Sequence, residues 1–256
     1  MVDFHSHILP NIDDGSQSVE MSLEMLKASY EAGVTDVVAT SHCYPRENAS
    51  LLNFLKRREL SYNDLLEAME KDGGNFPKIH LGCELNMSMD IARLPNIGSM
   101  RIADTDYIMV EMPFDPWREW MSEAVYNLTV LGLKPIMAHI DRFLGQKKEA
   151  LMSVFELDVI YQVNTSLFLD KHMSKVARDL LSDGKAQLLG TDMHNMQTRK
   201  PDMKEAKVIL EDKYSPECID FFKENAFNVL QNKAVSKMDF QLPQKKSFLR
   251  SLFEKK

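Results

Sequence analysis

Short apolar runs alternate with helical patterns along most of the chain. An opening strand is followed by six more runs rich in apolar and β-branched residues, at 34–40, 78–83, 105–111, 134–139, 158–164 and 187–191. Apolar residues recur at helical spacing over 19–30, 50–71, 117–131, 147–155, 170–181, 203–213 and 216–232. This alternation of strand and helix predicts a parallel sheet surrounded by helices.

Seven predicted strands in a chain of 256 residues favour one α/β domain in which the sheet closes into a barrel. An open, doubly wound sheet is the alternative architecture. No G-x-G-x-x-G or P-loop sequence follows any predicted strand, so the nucleotide-binding forms of that alternative are not indicated. We therefore expect the chemistry to lie at the carboxyl ends of the strands.

The opening strand carries the first candidate metal ligands. His5 and His7 are two positions apart, so in an extended segment both point to the same side, about 6.6 Å apart along the strand. Imidazole nitrogens suit zinc, iron or manganese, and Asp13 and Asp14 follow closely with oxygen ligands. A single pair of this kind is weak evidence, because paired surface or core histidines are common.

Five of the other six predicted strands also deliver a metal-competent side chain at or just after the carboxyl end. These residues are His42, Glu84, Glu111, His139, and the pair Asp192 and His194. Because the carboxyl ends of barrel strands meet at one face, we predict a single shared site. The acids exceed what one cation needs, so two or three ions bridged by carboxylates are expected. His80 and His172 fall elsewhere and are predicted to be structural or surface residues.

Composition narrows the classes of function. A formal charge of −7 and a pI near 5.6 argue against a nucleic-acid partner. The three cysteines are widely separated and form no C-x-x-C pair, which favours reduced thiols and a cytoplasmic protein. Neither a signal peptide nor a long apolar membrane span is predicted.

The last sixteen residues differ in character from the rest of the chain. We predict one domain over 1–240 and a basic amphipathic tail over 241–256, where five lysines and arginines flank Phe248, Leu249, Leu252 and Phe253. The tail is a candidate for docking a partner kinase or an anionic membrane surface. A frayed terminal helix is the simpler alternative.

Several motifs together resemble one known family. They are Asp3-Phe-His-Ser-His-Ile-Leu-Pro-Asn-Ile-Asp-Asp-Gly15, Thr40-Ser-His42, Gly82-Cys-Glu84, Glu111, Ala138-His-Ile-Asp-Arg142, Gln162-Val-Asn-Thr-Ser166, and Thr191-Asp-Met-His-Asn195 followed by Arg199. The chain resembles the PHP (polymerase and histidinol phosphatase) superfamily, specifically its bacterial manganese-dependent protein-tyrosine phosphatases of the CpsB/YwqE type. One departure is Asp141-Arg142-Phe143, where the family commonly has Glu-Arg-Tyr.

The resemblance implies a distorted (β/α)7 barrel with a site for two or three divalent ions, manganese first, with iron or zinc as alternatives. The ligands that it implies are His5, His7, Asp14, His42, Glu84, Glu111, His139, Asp192 and His194. Asp13 is an alternative to Asp14. Arg142 and Arg199 match the family's phosphate-binding arginines, and His42 and His194 are further candidates for catalytic residues.

The implied activity is hydrolysis of phosphotyrosine on a bacterial tyrosine kinase or similar protein, in capsule or exopolysaccharide regulation, through attack by a hydroxide that bridges the metals. A cysteine-based mechanism is not predicted, because an arginine would follow the cysteine by six positions, where Cys43, Cys83 and Cys218 have Ala49, Met89 and Glu224. A phosphatase for a small metabolite such as histidinol phosphate is one alternative, and a non-catalytic kinase-docking module is another. The oligomeric state is left open.

Overall fold

The computed structural model describes residues 1–242. Its strands are β1 (Val2–Ser6), β2 (Asp36–Ala39), β3 (His42–Cys43), β4 (Lys78–Leu81), β5 (Glu84–Asn86), β6 (Tyr107–Glu111), β7 (Lys134–Met137), β8 (Ile160–Asn164) and β9 (Leu188–Gly190). Its α-helices are α1 (Val19–Glu31), α2 (Asn48–Asp72), α3 (Glu119–Val130), α4 (Lys148–Phe155), α5 (Thr165–Leu169), α6 (Ser174–Ser182), α7 (Met203–Lys213) and α8 (Glu217–Leu230). Within these described residues, no helix combines the length and apolar character that a membrane crossing requires.

All paired strands run parallel and form a curled sheet. The hydrogen-bonded order is β1-β2-β4 in one part and β3-β5-β6-β7-β8-β9 in the other. The chain passes from β2 to β3 and from β4 to β5 through only two residues each, so each short strand extends its predecessor. At the far edge β9 lies beside β1, where the Asp192 amide donates to the His5 carbonyl at 2.8 Å.

The buried strands carry apolar side chains on both faces, as parallel sheets covered by helices require. Phe4, Val38, Met109 and Ile136, each from a different strand, pack in one buried cluster. Polar atoms of the same strands remain buried at their carboxyl ends. The mixed α/β class and the parallel sheet predicted from the sequence are therefore confirmed.

Most predicted helices are present with similar bounds, and the differences have local causes. The helix predicted over 170–181 begins only at Ser174, because the Asp170 carboxylate accepts from the His172 amide and caps a preceding turn. The helix α5 was not predicted, since Thr165 and Ser166 indicate a polar strand end. The predicted tail lies outside the described residues from position 243 onward.

Candidate metal centre

The nine side chains predicted as metal ligands lie together at the carboxyl ends of the strands. They form four overlapping groups in which the potential ligand atoms all lie within 4.8 Å of one another. The groups are His7-Asp14-His42-His194, His5-His139-Asp192, His5-His7-Glu84 and His42-Glu84-Glu111. Because Glu84 belongs to two of these groups and its carboxylate has two oxygens that can bridge neighbouring ions, the arrangement suits more than one ion.

Two of these residues adopt backbone conformations that are unusual for their type. His139 follows β7 with a φ of 33°, and Asp192 follows β9 with a φ of 55°. Left-handed backbone is unfavourable for non-glycine residues and persists where surrounding structure enforces it, often at functional sites. Both positions turn the chain sharply at the strand end, and both side chains are buried in the cluster.

The two histidines of the opening strand are oriented by partners on their outer nitrogens. The Nδ1 of His5 donates to Gln162 Oε1 at 3.0 Å, and the Nδ1 of His7 donates to Asp13 Oδ2 at 2.7 Å. Both Nε2 atoms are thereby left to face the cluster, 3.2 Å from each other. Such outer hydrogen bonds are how proteins fix the tautomer and direction of metal-binding histidines.

The groups around the His7 side chain favour a positive charge on its ring. Burial by itself lowers the pKa of His7, but Asp13, Asp192 and Glu84 outweigh it and hold the pKa well above its ordinary value. A divalent cation between the imidazoles satisfies the same preference and competes with that proton.

Glu84 lies at the middle of the cluster. Its Oε1 is 2.6 Å from His139 Nε2, and its Oε2 lies 3.2 Å and 3.3 Å from the Nε2 atoms of His5 and His7. Burial opposes ionisation, yet the histidines, His5 foremost, hold the pKa of Glu84 well below its usual range. Glu84 is therefore a buried carboxylate, which is costly unless charge of the opposite sign surrounds it.

Four buried polar atoms in the cluster have no hydrogen-bond partner: His42 Nδ1, Glu84 Oε2, His139 Nδ1 and Asp192 Oδ1. His42 Nδ1 and Glu84 Oε2 are 3.0 Å apart, but their geometry is not that of a hydrogen bond. Unpartnered buried polar atoms are rare because each costs about 1–3 kcal/mol. Three of the four, all but His139 Nδ1, are ligand atoms aimed into the cluster, so the residues fit divalent cations.

Asp13 and Asp14 differ in what their carboxylates face. Asp13 is directed away from the shared space, because it accepts from His7 Nδ1 and from the amides of Gly15 and His42. The Oδ1 of Asp14 lies 3.5 Å from His42 Nε2 and 3.4 Å from His194 Nε2. Asp14 is therefore the one placed to bind a cation, and Asp13 is placed to orient His7.

Two arginines converge on one oxygen of Asp192. Arg199 Nη2 lies 2.6 Å from Asp192 Oδ2, and Arg142 Nη2 makes a short contact with the same atom. Asp192 Oδ1 faces the histidines instead. The arginine side chains are 32% and 37% exposed, so their remaining donors can reach an anion from solvent.

His194 and His42 differ in their contacts and in their exposure. His194 Nδ1 donates to the Asp192 carbonyl and its Nε2 accepts from Arg199 Nη1 at 2.8 Å. Burial, together with the charges of His7 and Arg199, lowers the pKa of His194 to about 4. His194 is thus neutral near pH 7, whereas the His42 side chain is 14% exposed at the edge of the cluster.

Three positioning residues lie within the motifs quoted from the sequence but were assigned no role there. Gln162 accepts from both His5 Nδ1 and the His139 amide, and Asn164 Nδ2 donates to Asp192 Oδ2 at 3.0 Å. Asp3 accepts from the amide and hydroxyl of Thr191. The signals in the sequence are that all three are polar residues within apolar strands and that all three belong to motifs shared with the family.

The residues predicted to lie outside the site do so. His80 Nε2 pairs with Asp36 Oδ1 at 2.8 Å on the neighbouring strand, and His172 lies in a turn at the surface. Cys43 follows His42 directly, but its thiol is buried, and burial raises its pKa to about 12. Such a thiol is a poor nucleophile at neutral pH.

Comparison with known proteins agrees with this geometry. A family model described as "Capsular polysaccharide synthesis, CpsB/CapC" matches residues 1–231. The tyrosine-protein phosphatase CpsB of Streptococcus agalactiae is 28% identical over 253 residues, covering 91% of this chain and 99% of that protein. The tyrosine-protein phosphatase YwqE of Bacillus subtilis is 26% identical over 247 residues, covering 92% of this chain and 93% of that protein.

A solved structure shares the fold. It comes from work on YwqE from Bacillus subtilis and CpsB from Streptococcus pneumoniae, described as unique metal-dependent tyrosine phosphatases. It superposes with a TM-score of 0.79 and 25% sequence identity, covering 96% of this chain and 100% of the other. The resemblance inferred from the motifs is thus confirmed, and the chain belongs to the CpsB/CapC family of capsular polysaccharide synthesis proteins.

Proposed function

We propose that the chain is a metal-dependent protein-tyrosine phosphatase that acts on a bacterial tyrosine kinase or a similar protein in capsule or exopolysaccharide synthesis. The observation that supports this best is the cluster of nine candidate ligand side chains, seven of them buried and several with unpartnered atoms, beside two converging arginines. The names of the relatives support the same activity.

The proposed ligands are the nine clustered residues, and the proposed ions are two or three manganese ions, with iron or zinc as alternatives. The mixture of imidazole nitrogens and carboxylate oxygens suits these metals. When bound, divalent ions lower the pKa of a coordinated water towards about 7 and so supply a nucleophile at neutral pH. The four groups of ligand atoms, two of which contain the Glu84 carboxylate, support more than one ion.

Arg142 and Arg199 are the proposed phosphate-binding residues. Their planar guanidinium groups match the oxygens of a phosphate, and both reach solvent next to Asp192. Asp192 Oδ2 contacts both groups and so keeps the two guanidinium groups close to each other. His42 and His194 are proposed as catalytic residues, His42 as the proton-transfer group because its edge is exposed.

We propose further that the strands make one distorted (β/α)7 barrel within a single domain over 1–240, followed by the basic tail over 241–256. Supporting observations are the extension of β2 by β3 and of β4 by β5, and the parallel bridge from Ser6 to Met193 beside β9. A cytoplasmic location is proposed because the three cysteines are free and buried.

The function is tested by measuring hydrolysis of a phosphotyrosyl peptide and of histidinol phosphate by protein purified without chelator, with added manganese. We expect higher kcat/KM on the peptide, metal bound at more than one equivalent, and loss of activity with EDTA. Preference for histidinol phosphate would place the chain among small-metabolite phosphatases, and chelator-insensitive activity would refute the metal-dependent mechanism.

A matched pair of variants separates metal from thiol chemistry. His139→Ala removes a proposed ligand and is expected to lower kcat by at least about 100-fold. Cys43→Ser changes a neighbouring buried thiol that the mechanism does not use, so most activity is expected to remain. Inactivation by Cys43→Ser in a variant that retains the wild-type circular dichroism spectrum would contradict the proposal.

A further inference from the structure

An exposed aromatic ring lies against the metal centre. Phe114 follows Glu111 by three positions on the loop between β6 and α3, and it is 58% exposed. Its ring is nearly parallel to the His139 imidazole, with centroids 6.1 Å apart and planes at 22°. The buried Phe143 lies 6.0 Å away at 19°. A large apolar ring is therefore held in a fixed orientation beside the site with much of its surface open.

The same ring lies beside a proposed phosphate-binding arginine. The Cζ atom of Arg142 is 5.8 Å from the centroid of Phe114, within the range of a cation–π contact. The ring also forms part of the wall of a cavity of about 760 Å³ that Trp117 and Gln146 line. Phe114 is thus placed between the anchoring guanidinium and an open space large enough for further parts of a peptide.

We propose that the exposed ring of Phe114 is the surface on which the phenyl ring of phosphotyrosine lies while Arg142 holds the phosphate, which makes Phe114 a specificity-determining residue for aryl over alkyl phosphates. This inference rests on the proposed function. In phosphotyrosine one ester oxygen joins phosphorus to the ring, so a phosphate bound at Arg142 brings its ring within reach of Phe114. Offset stacking of two aromatic rings adds binding energy beyond burial alone.

Direct binding to the manganese-loaded protein tests the proposal by isothermal titration calorimetry. The probes are phenylphosphonate, which carries an aryl ring, and methylphosphonate, which does not. The variants are Phe114→Ala, Phe114→Leu, which keeps an apolar side chain, and Phe114→Tyr, which keeps the ring. Tyr126→Ala is the matched control, because Tyr126 is an exposed aromatic residue on α3 with no place in the site.

We expect Phe114→Ala and Phe114→Leu to weaken phenylphosphonate binding about fivefold, which corresponds to about 1 kcal/mol, the contribution of an aromatic pair. Binding of methylphosphonate should change less than about twofold. Phe114→Tyr and Tyr126→Ala should bind both probes as the wild type does. The kcat/KM for a phosphotyrosyl peptide should fall by the same factor as phenylphosphonate affinity.

Equal weakening of both probes would overturn the proposal, because Phe114 would then act only by positioning Arg142. Unchanged phenylphosphonate binding in Phe114→Ala would overturn it as well. The proposed function, and not this inference, would be refuted if the wild-type protein bound phenylphosphonate through Phe114 but did not hydrolyse a phosphotyrosyl peptide.

Discussion

Adjacent carboxylates at the first strand end have different tasks. Asp14 faces His42 and His194, and Asp13 holds His7 through its outer nitrogen. The first contact suits the proposed ligand and the second suits an orienting partner. The sequence leaves the choice between them open because the two residues are consecutive in the loop after β1. Only the direction of each side chain in the fold distinguishes them.

Substituting these two residues separates the roles. Asp14→Asn should lower the number of manganese ions bound per chain, because a neutral amide oxygen is a weaker ligand than a carboxylate. Asp13→Asn should keep that number and weaken affinity about 10-fold, because only the orientation of His7 is affected. Metal analysis after dialysis measures the first, and calorimetry the second. The reverse pattern would exchange the two assignments.

Gln162 controls the direction of two proposed ligands with one oxygen atom. Gln162→Leu removes the acceptor for His5 Nδ1 and for the His139 amide while keeping similar volume. We expect metal affinity to fall about 10–100-fold, as it does when outer partners of metal-binding histidines are removed. Calorimetric titration with manganese measures the change. Wild-type affinity in this variant would show that packing alone orients His5.

The sequence predicted which side chains cluster at the strand ends, but it assigned no role to these supporting residues. Histidines and acids at strand ends form a recognisable pattern, since few other roles place them there. Gln162 is a neutral side chain 157 positions from His5, and nothing in the local sequence around either residue links them. Contacts of this kind depend on the exact register between strands, and the hydrophobic pattern does not determine that register.

At the level of elements, the site depends on how closely β9 approaches β1. A Cβ atom on Gly190 would lie 2.5 Å from His5 Cβ and 2.7 Å from the His5 amide nitrogen. Glycine is therefore required there by lack of space, not by backbone conformation. The separation of these two strands sets the position of His5.

Gly190→Ala should therefore lower both stability and metal binding. Overpacking of this kind costs about 1–3 kcal/mol in the free energy of unfolding. The displaced His5 should weaken manganese affinity in parallel. Gly145→Ala is the control, because a Cβ there meets no atom within 4 Å; it should change stability by less than about 0.5 kcal/mol. Urea denaturation and calorimetry measure the two effects, and loss of stability with intact metal affinity would refute the coupling.

The sequence predicted which segments are helices and strands better than it predicted where each one begins and ends. The bounds of α7 are those predicted, because Met203–Lys213 has clear helical spacing between a proline and a polar turn. The short strands β3 and β5 were not predicted, because they begin after the predicted strands at 34–40 and 78–83 have ended, in segments expected to be loops. The backbone hydrogen bonding changes at the start of β5, because the Glu84 amide donates to the carbonyls of both Thr40 and Ser41.

For the molecule as a whole, the cluster links metal binding to folding. Asp14, Glu84, Glu111 and Asp192 place four carboxylates close together, and repulsion from Glu84, added to burial, raises the pKa of Glu111. Cations that bind only the folded chain offset that repulsion. The free energy of unfolding should therefore depend on metal concentration.

Thermal unfolding with increasing manganese tests this linkage. At a concentration about 100-fold above Kd, one bound ion should add about 2.7 kcal/mol to the free energy of unfolding. Sodium chloride at equal ionic strength should have a much smaller effect. The same titration of Glu84→Gln should give a smaller rise in Tm, because this variant lacks the central carboxylate. A Tm that is independent of manganese would exclude a preformed site.

The adjacency of β1 and β9 also bears on the order of folding during synthesis. Asp3 is hydrogen-bonded to Thr191 across 188 positions of the chain, so β1 has no partner on that side until most of the protein has left the ribosome. Contacts between such distant residues slow folding because a long loop must close first. The cluster that brings His5 and Asp192 together is then completed among the last features of the fold. Until β9 pairs with it, the nascent chain has an open strand edge at β1.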